Sequence, residues 1–105
     1  MSEITLGILG GGQLGSMLSV AAKKLDIKTV IYCDKQEAPA KNFCDEFIHA
    51  EYTDKNNIYE FAKKVDFITY EFENIPFETL NELNKLKTVL PKPSVNRLIQ
   101  HRLAE

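Results

Sequence analysis

Apolar runs alternate with helical patterns along this chain. Ile4–Leu9 (ITLGIL) is a short apolar run that predicts a buried strand. From Leu14 the period changes. Leu14, Met17, Leu18, Ala21, Ala22 and Leu25 recur at i, i+3, i+4, i+7, i+8 and i+11, which predicts a helix with those residues on its buried face. Lys28–Cys33 (KTVIYC) is β-branched and apolar, a second strand. Residues 34–44 are polar around Pro39 and predict a loop with a helical turn, and Glu46–Ala50 is a weaker strand. Thr53 or Asp54 caps a helix whose face is Ile58, Phe61, Ala62 and Val65. Phe67–Tyr70 (FITY) is a third clear strand. Pro76 suits the first turn of a helix carrying Phe77, Leu80 and Leu83. Thr88–Leu90 is a short strand, and Ser94 caps a final helix with Val95, Leu98, Ile99 and Arg102.

Strands alternating with amphipathic helices predict an α/β fold: a parallel sheet covered by helices on both faces, in three layers. At 105 residues, with no repeat, low-complexity tract or linker, residues 1–105 read as a single domain. The length excludes a nucleotide-binding half joined to a separate catalytic half. The final helix stops at Glu105 with no capping glycine and no closing strand, so the expectation is a chain cut at a domain boundary.

Composition narrows the partners. Hydrophobic residues make up 44% and charged residues 27%, an ordinary globular mix. A net charge of -2 offers no basic field for nucleic acid or an anionic membrane. No apolar run reaches the ~18 residues of a membrane span, and the start lacks a signal-peptide pattern. Cys33 and Cys44 lack metal-ligand spacing and read as buried, reduced thiols of a cytoplasmic protein. His49 and His101 have no ligand-spaced partners, so no metal site is expected. Lys23-Lys24 and Lys63-Lys64 read as helix surface charges. No nucleophile–base arrangement is visible, and no catalytic residue is assigned.

Two stretches stand where ligands collect in such sheets, at the carboxyl ends of strands. The first is Gly10-Gly11-Gly12-Gln13-Leu14-Gly15, which satisfies the GxGxxG fingerprint. Gly10 permits a tight turn, Gly12 lets backbone amides approach an anion, and Gly15 lets the helix pack closely. The helix N-terminus adds free donors and about half a positive charge. A phosphate or a carboxylate fits this description equally. Asp34 lies 19 residues beyond Gly15, about where an acid meets the ribose of NAD. The second stretch is Tyr70-Glu71-Phe72-Glu73-Asn74. Its carboxylates would repel a pyrophosphate and suit ribose hydroxyls or an amino-substituted ring, although loop carboxylates are commonly just solvated.

GILGGGQLGSML, TYEFENIP and PKPSVNRLIQHRLAE, in this order, resemble the N-terminal domain of the 5-(carboxyamino)imidazole ribonucleotide synthase family, and the likeness covers essentially the whole chain. The resemblance implies a Rossmann-like pre-ATP-grasp domain that carries no NAD. It implies that the parent protein is an ATP-grasp ligase of purine biosynthesis. ATP, with Mg2+, would phosphorylate bicarbonate to carboxyphosphate, and the exocyclic amine of 5-aminoimidazole ribonucleotide would take the carboxyl group. It also implies that Gly11, Gly12, Gln13 and Leu14 form the substrate loop. Glu73 is the first choice for a hydrogen bond to the substrate and Glu71 the second, and Arg102 contacts ATP. The ATP-grasp domain itself is absent from these residues, so they are expected to be inactive alone and to hold no cofactor tightly. Dimers are common in the family. Two departures stand out: Ser16 where the family usually has arginine, and His101 where it has aspartate before Arg102. The alternatives are an NAD(P)-binding oxidoreductase domain, supported by GxGxxG with Asp34, and a nucleotide-sensing regulatory module.

Overall fold

The computed structural model describes residues 4–71 and 75–90. Five parallel strands form one sheet: β1 (Thr5–Leu9), β2 (Lys28–Cys33), β3 (Glu46–His49), β4 (Phe67–Tyr70) and β5 (Thr88–Val89). Three helices connect them: α1 (Gln13–Lys24), α2 (Lys55–Lys64) and α3 (Phe77–Leu86), with a 3₁₀ turn at Pro39–Asn42 before β3. Each strand lies within one residue of its expected boundary. The helix expected after Ser94 lies outside the described residues, as does the stretch Phe72–Asn74.

The sheet order is β3-β2-β1-β4-β5. Leu9 pairs with Tyr32 on one side and Tyr70 on the other, so β1, β2 and β4 end level with one another. Between β1 and β4 the winding direction reverses. That reversal opens the crevice where doubly wound sheets take ligands.

The inner strands β1, β2 and β4 are mostly apolar because both faces of the sheet are covered there, whereas the edge strand β3 carries Glu46 and His49. Ile8, Ile31 and Cys33 face α1 and the 3₁₀ turn, packing with Ala40 and, at its margin, Leu18. Leu9, Val30, Tyr32, Ile68 and Tyr70 face α2 and α3, where they meet Ile58, Phe61, Val65, Leu80 and Leu83. The three-layer arrangement expected from the sequence is therefore present. Asp54 caps α2 by accepting from the Asn57 amide at 3.3 Å, and Pro76 stands immediately before α3. Lys23-Lys24 and Lys63-Lys64 occupy the last turns of their helices, exposed and favourably placed at the negative end of the dipole.

Two expectations need correcting. Of the face expected for α1, Ala22 is buried and Leu18 half-buried, and the other buried positions are Gly15 and Ser19 rather than the large apolar residues. Leu14, Met17 and Leu25 are exposed, Met17 at 62% and Leu25 at 72%. The helix lies too close to the sheet for long side chains beneath it: a Cβ on Gly15 would stand 2.9 Å from the Gly10 carbonyl oxygen. Small residues win the inner face on space, although hydrophobicity alone favours the outer one. Cys44 is only half-buried, since it follows the 3₁₀ turn at the rim of the sheet, whereas Cys33 is buried as expected.

Candidate functional site: the crevice at the end of β1, β2 and β4

The ends of three strands surround a cleft of about 600 Å³. β1 runs into Gly10, Gly11 and Gly12; β2 runs into Cys33, Asp34 and Lys35; β4 runs into Glu71; Glu37, Ala38, Pro39 and Tyr52 complete the wall. Backbone bonds fix these ends against one another. The Gly10 amide donates to the Tyr32 carbonyl at 2.8 Å, the Glu71 amide to the Leu9 carbonyl at 3.0 Å, and the Ala40 amide to the Gly11 carbonyl at 2.9 Å. The last of these ties the glycine loop to the 3₁₀ turn.

The loop already holds an anion, and the anion belongs to the chain. The Glu71 carboxylate accepts from the Gly15 amide at 3.1 Å, in the first turn of α1. An α-helix leaves its first amides without intrahelical partners and carries a partial positive charge there, so a carboxylate is well placed. The three fingerprint glycines ring it. A Cβ at Gly10 would lie 2.8 Å from Glu71 Oε2, one at Gly12 would lie 3.0 Å from Oε1, and one at Gly15 would lie 3.6 Å from Oε1. Gly10 also stands at φ +107°, in the region that favours glycine.

Among the described residues the charge lining the cleft is mostly negative: Asp34, Glu37 and Glu71 against the single ammonium of Lys35. Tyr52 adds a buried hydroxyl whose pKa is pushed well up, first by burial, then by the neighbouring Cys33 thiol and by Asp34. It stays neutral and can donate a hydrogen bond. The cleft thus offers acceptors to a ligand rich in N–H and O–H donors.

The expected residues divide into three groups. Gly11, Gly12, Glu71 and Asp34 line the cleft. Gln13 and Leu14 occupy the exposed first turn of α1 and are not among the residues that line the cleft. Glu73 and Arg102 lie outside the described residues. Lys35, Glu37 and Tyr52 line the site without having been singled out for it. They come from loops after β2 and β3, where only the strand order reveals the proximity. Among the described residues no cluster of three or more His, Cys, Asp or Glu could hold a metal ion.

The family model for the ribonucleotide synthetase preATP-grasp domain matches residues 3–100. The chain belongs to this family. The preATP-grasp domain is 38% identical over 101 residues to N5-carboxyaminoimidazole ribonucleotide synthase of Staphylococcus epidermidis, covering 96% of this chain and 27% of that protein. It is 40% identical over 101 residues to the bifunctional purine synthesis protein purC/E of Dictyostelium discoideum, covering 96% of this chain and 10% of that one. Among solved structures, the N5-carboxyaminoimidazole synthetase of Staphylococcus aureus complexed with ADP superposes with a TM-score of 0.88 at 36% identity, over 99% of this chain and 28% of that one. The preATP-grasp domain therefore spans about a quarter of the length of that synthase.

Proposed function

We propose that this preATP-grasp domain forms the substrate-ribonucleotide side of an ATP-dependent ligase that joins bicarbonate to 5-aminoimidazole ribonucleotide in purine biosynthesis, in the cytoplasm. The observation that carries the reading is the acceptor-rich cleft where the β1 and β4 ends meet, lined by Gly11, Gly12, Asp34 and Glu71. An aminoimidazole and a ribose supply the N–H and O–H donors that such a cleft recognises. In this reading Gln13 and Leu14, which follow the glycines in sequence, and Glu73 also contact the ribonucleotide.

ATP and Mg2+ belong elsewhere in this reading. The described residues do not fit a triphosphate, because Glu71 occupies the first turn of α1, and they contain no metal cluster. The ATP-grasp region of the parent ligase supplies both, and Arg102 is assigned a contact to ATP there. These 105 residues bind and orient the ribonucleotide and leave phosphoryl chemistry to that partner domain, so they turn nothing over alone. A homodimer of the whole ligase fits the family habit.

Titration of the chain with 5-aminoimidazole ribonucleotide and, in parallel, NADH, followed by amide NMR, tests the reading. The ribonucleotide should shift Gly10–Leu14, Asp34 and Glu71, and NADH should leave them in place. Shifts at Asp34 and the glycine loop with NADH alone would replace the ligase reading by a dinucleotide-binding one. Silence with both would remove the claim that this domain binds the ribonucleotide by itself.

A further inference from the structure

The glycine fingerprint is turned inward here. We infer that Glu71 is a specificity-determining residue: it fills the anion position at the N-terminus of α1 and closes the glycine loop to phosphate and pyrophosphate groups. Capping a helix requires one oxygen on one amide, which the Gly15 bond provides at 3.1 Å. Glu71 is held more fully than that. The missing Cβ atoms of Gly10 and Gly12 leave the room that its two carboxylate oxygens take up, at 2.8 Å and 3.0 Å from where those atoms would stand. In a dinucleotide-binding loop the same absence of side chains admits a ligand pyrophosphate. Here that space is spent on a side chain.

Charge reinforces the closure. A pyrophosphate entering the loop would meet Glu71 directly and the carboxylates of Asp34 and Glu37 in the same cleft, with Lys35 as the sole cation lining it among the described residues. Like charges at a few ångströms disfavour each other strongly once water is displaced. The fingerprint GxGxxG and the Asp34 position both match a dinucleotide site, yet the ligand they would serve is refused. Ligands that enter must present hydrogen-bond donors to the cleft and carry any phosphate outside it. The inference concerns what the loop excludes, and it stands whether or not the chain binds 5-aminoimidazole ribonucleotide.

The test uses inorganic pyrophosphate and NADH as probes on the 105-residue chain, read at the amides of Gly10–Ser16 by NMR. The unmodified chain should show no saturable shift. Glu71→Ala and Glu71→Ser, both of which remove the charge and vacate the space between the glycines, should bind pyrophosphate at least tenfold more tightly, with shifts centred on Gly12–Gly15. Saturable binding by the unmodified chain overturns the inference, and so does a folded variant that gains nothing. Should both variants fail to fold, amide exchange in the unmodified chain decides whether Glu71 holds the loop. The Gly15 amide should exchange with solvent more slowly than those of Gln13 and Leu14. Equal exchange would mean that Glu71 does not hold the loop in solution.

Discussion

At Gly10 and Gly12 the same neighbour imposes two different constraints. Gly10 has φ +107°, and a Cβ there would fall 2.8 Å from Oε2, 3.0 Å from Cδ and 3.0 Å from Cγ of Glu71. Gly10→Ala therefore meets both backbone strain and a clash, and is expected to lose about 2–3 kcal/mol of stability. Gly12 has φ -80°, which any residue adopts. Its Cβ would meet only the tip of the Glu71 side chain, at 3.0 Å and 3.1 Å from the two oxygens. A carboxylate tip can rotate away, and the reduced freedom of the unfolded chain offsets part of the cost. Gly12→Ala should stay within about 1 kcal/mol of the original. Urea unfolding of the two variants checks the contrast. Equal losses would show that the carboxylate, not the backbone angle, sets the requirement at both positions.

Helix α1 shows what periodicity reads and what it misses. The existence and the ends of the helix were legible, because the glycine loop precedes it and apolar residues recur at helical spacing. The inward face was not. Periodicity ranks residues by hydrophobicity, whereas the sheet selects by size when the helix axis is drawn in by the Gly10–Gly15 approach. Ser19, buried at 1%, carries no hydrophobic signal; of the periodic set Ala22 is buried, at 5%, while Met17, with far more signal, is exposed. Stability should follow burial. Ala22→Leu adds three carbons beneath the helix and is expected to lose about 1–3 kcal/mol. Met17→Gln alters the outer face and should change stability by no more than about 0.5 kcal/mol. Matched denaturation curves check the assignment, and a large loss at Met17 would mean that the large apolar residues of the periodic set form the inner face.

For the molecule as a whole, the strands were the legible part. Buried parallel strands read as continuous apolar runs, so LGIL, TVIYC and FITY announce themselves and the alternation with helices implies the layers. The site was legible only in pieces. The glycine loop and Glu71 are 56 residues apart in sequence, and only the placement of β4 beside β1 makes them neighbours. The repulsion expected between Glu71 and a pyrophosphate was the one clue in the sequence to that closure. The same packing makes an alkaline prediction. Tyr32, Tyr52 and Tyr70 are all buried in the core that faces α2 and α3. Burial is the leading cause that raises each hydroxyl, Tyr70 to about 12, whereas a tyrosine in an unfolded chain titrates near ~10. Between about pH 10 and 12 the unfolded chain gives up phenolic protons that the folded chain keeps, so folding stability falls as pH rises through that window. Below about pH 10 both states hold the protons, and the contribution is complete. The urea midpoint should thus hold level to about pH 9 and then decline, with tyrosinate absorbance rising together with the loss of helical circular dichroism. Lysines also discharge in this range, so Tyr70→Phe supplies the control: removing one suppressed titration should make the decline shallower than in the unmodified chain. Parallel declines would mean that Tyr70 is not held neutral by the core.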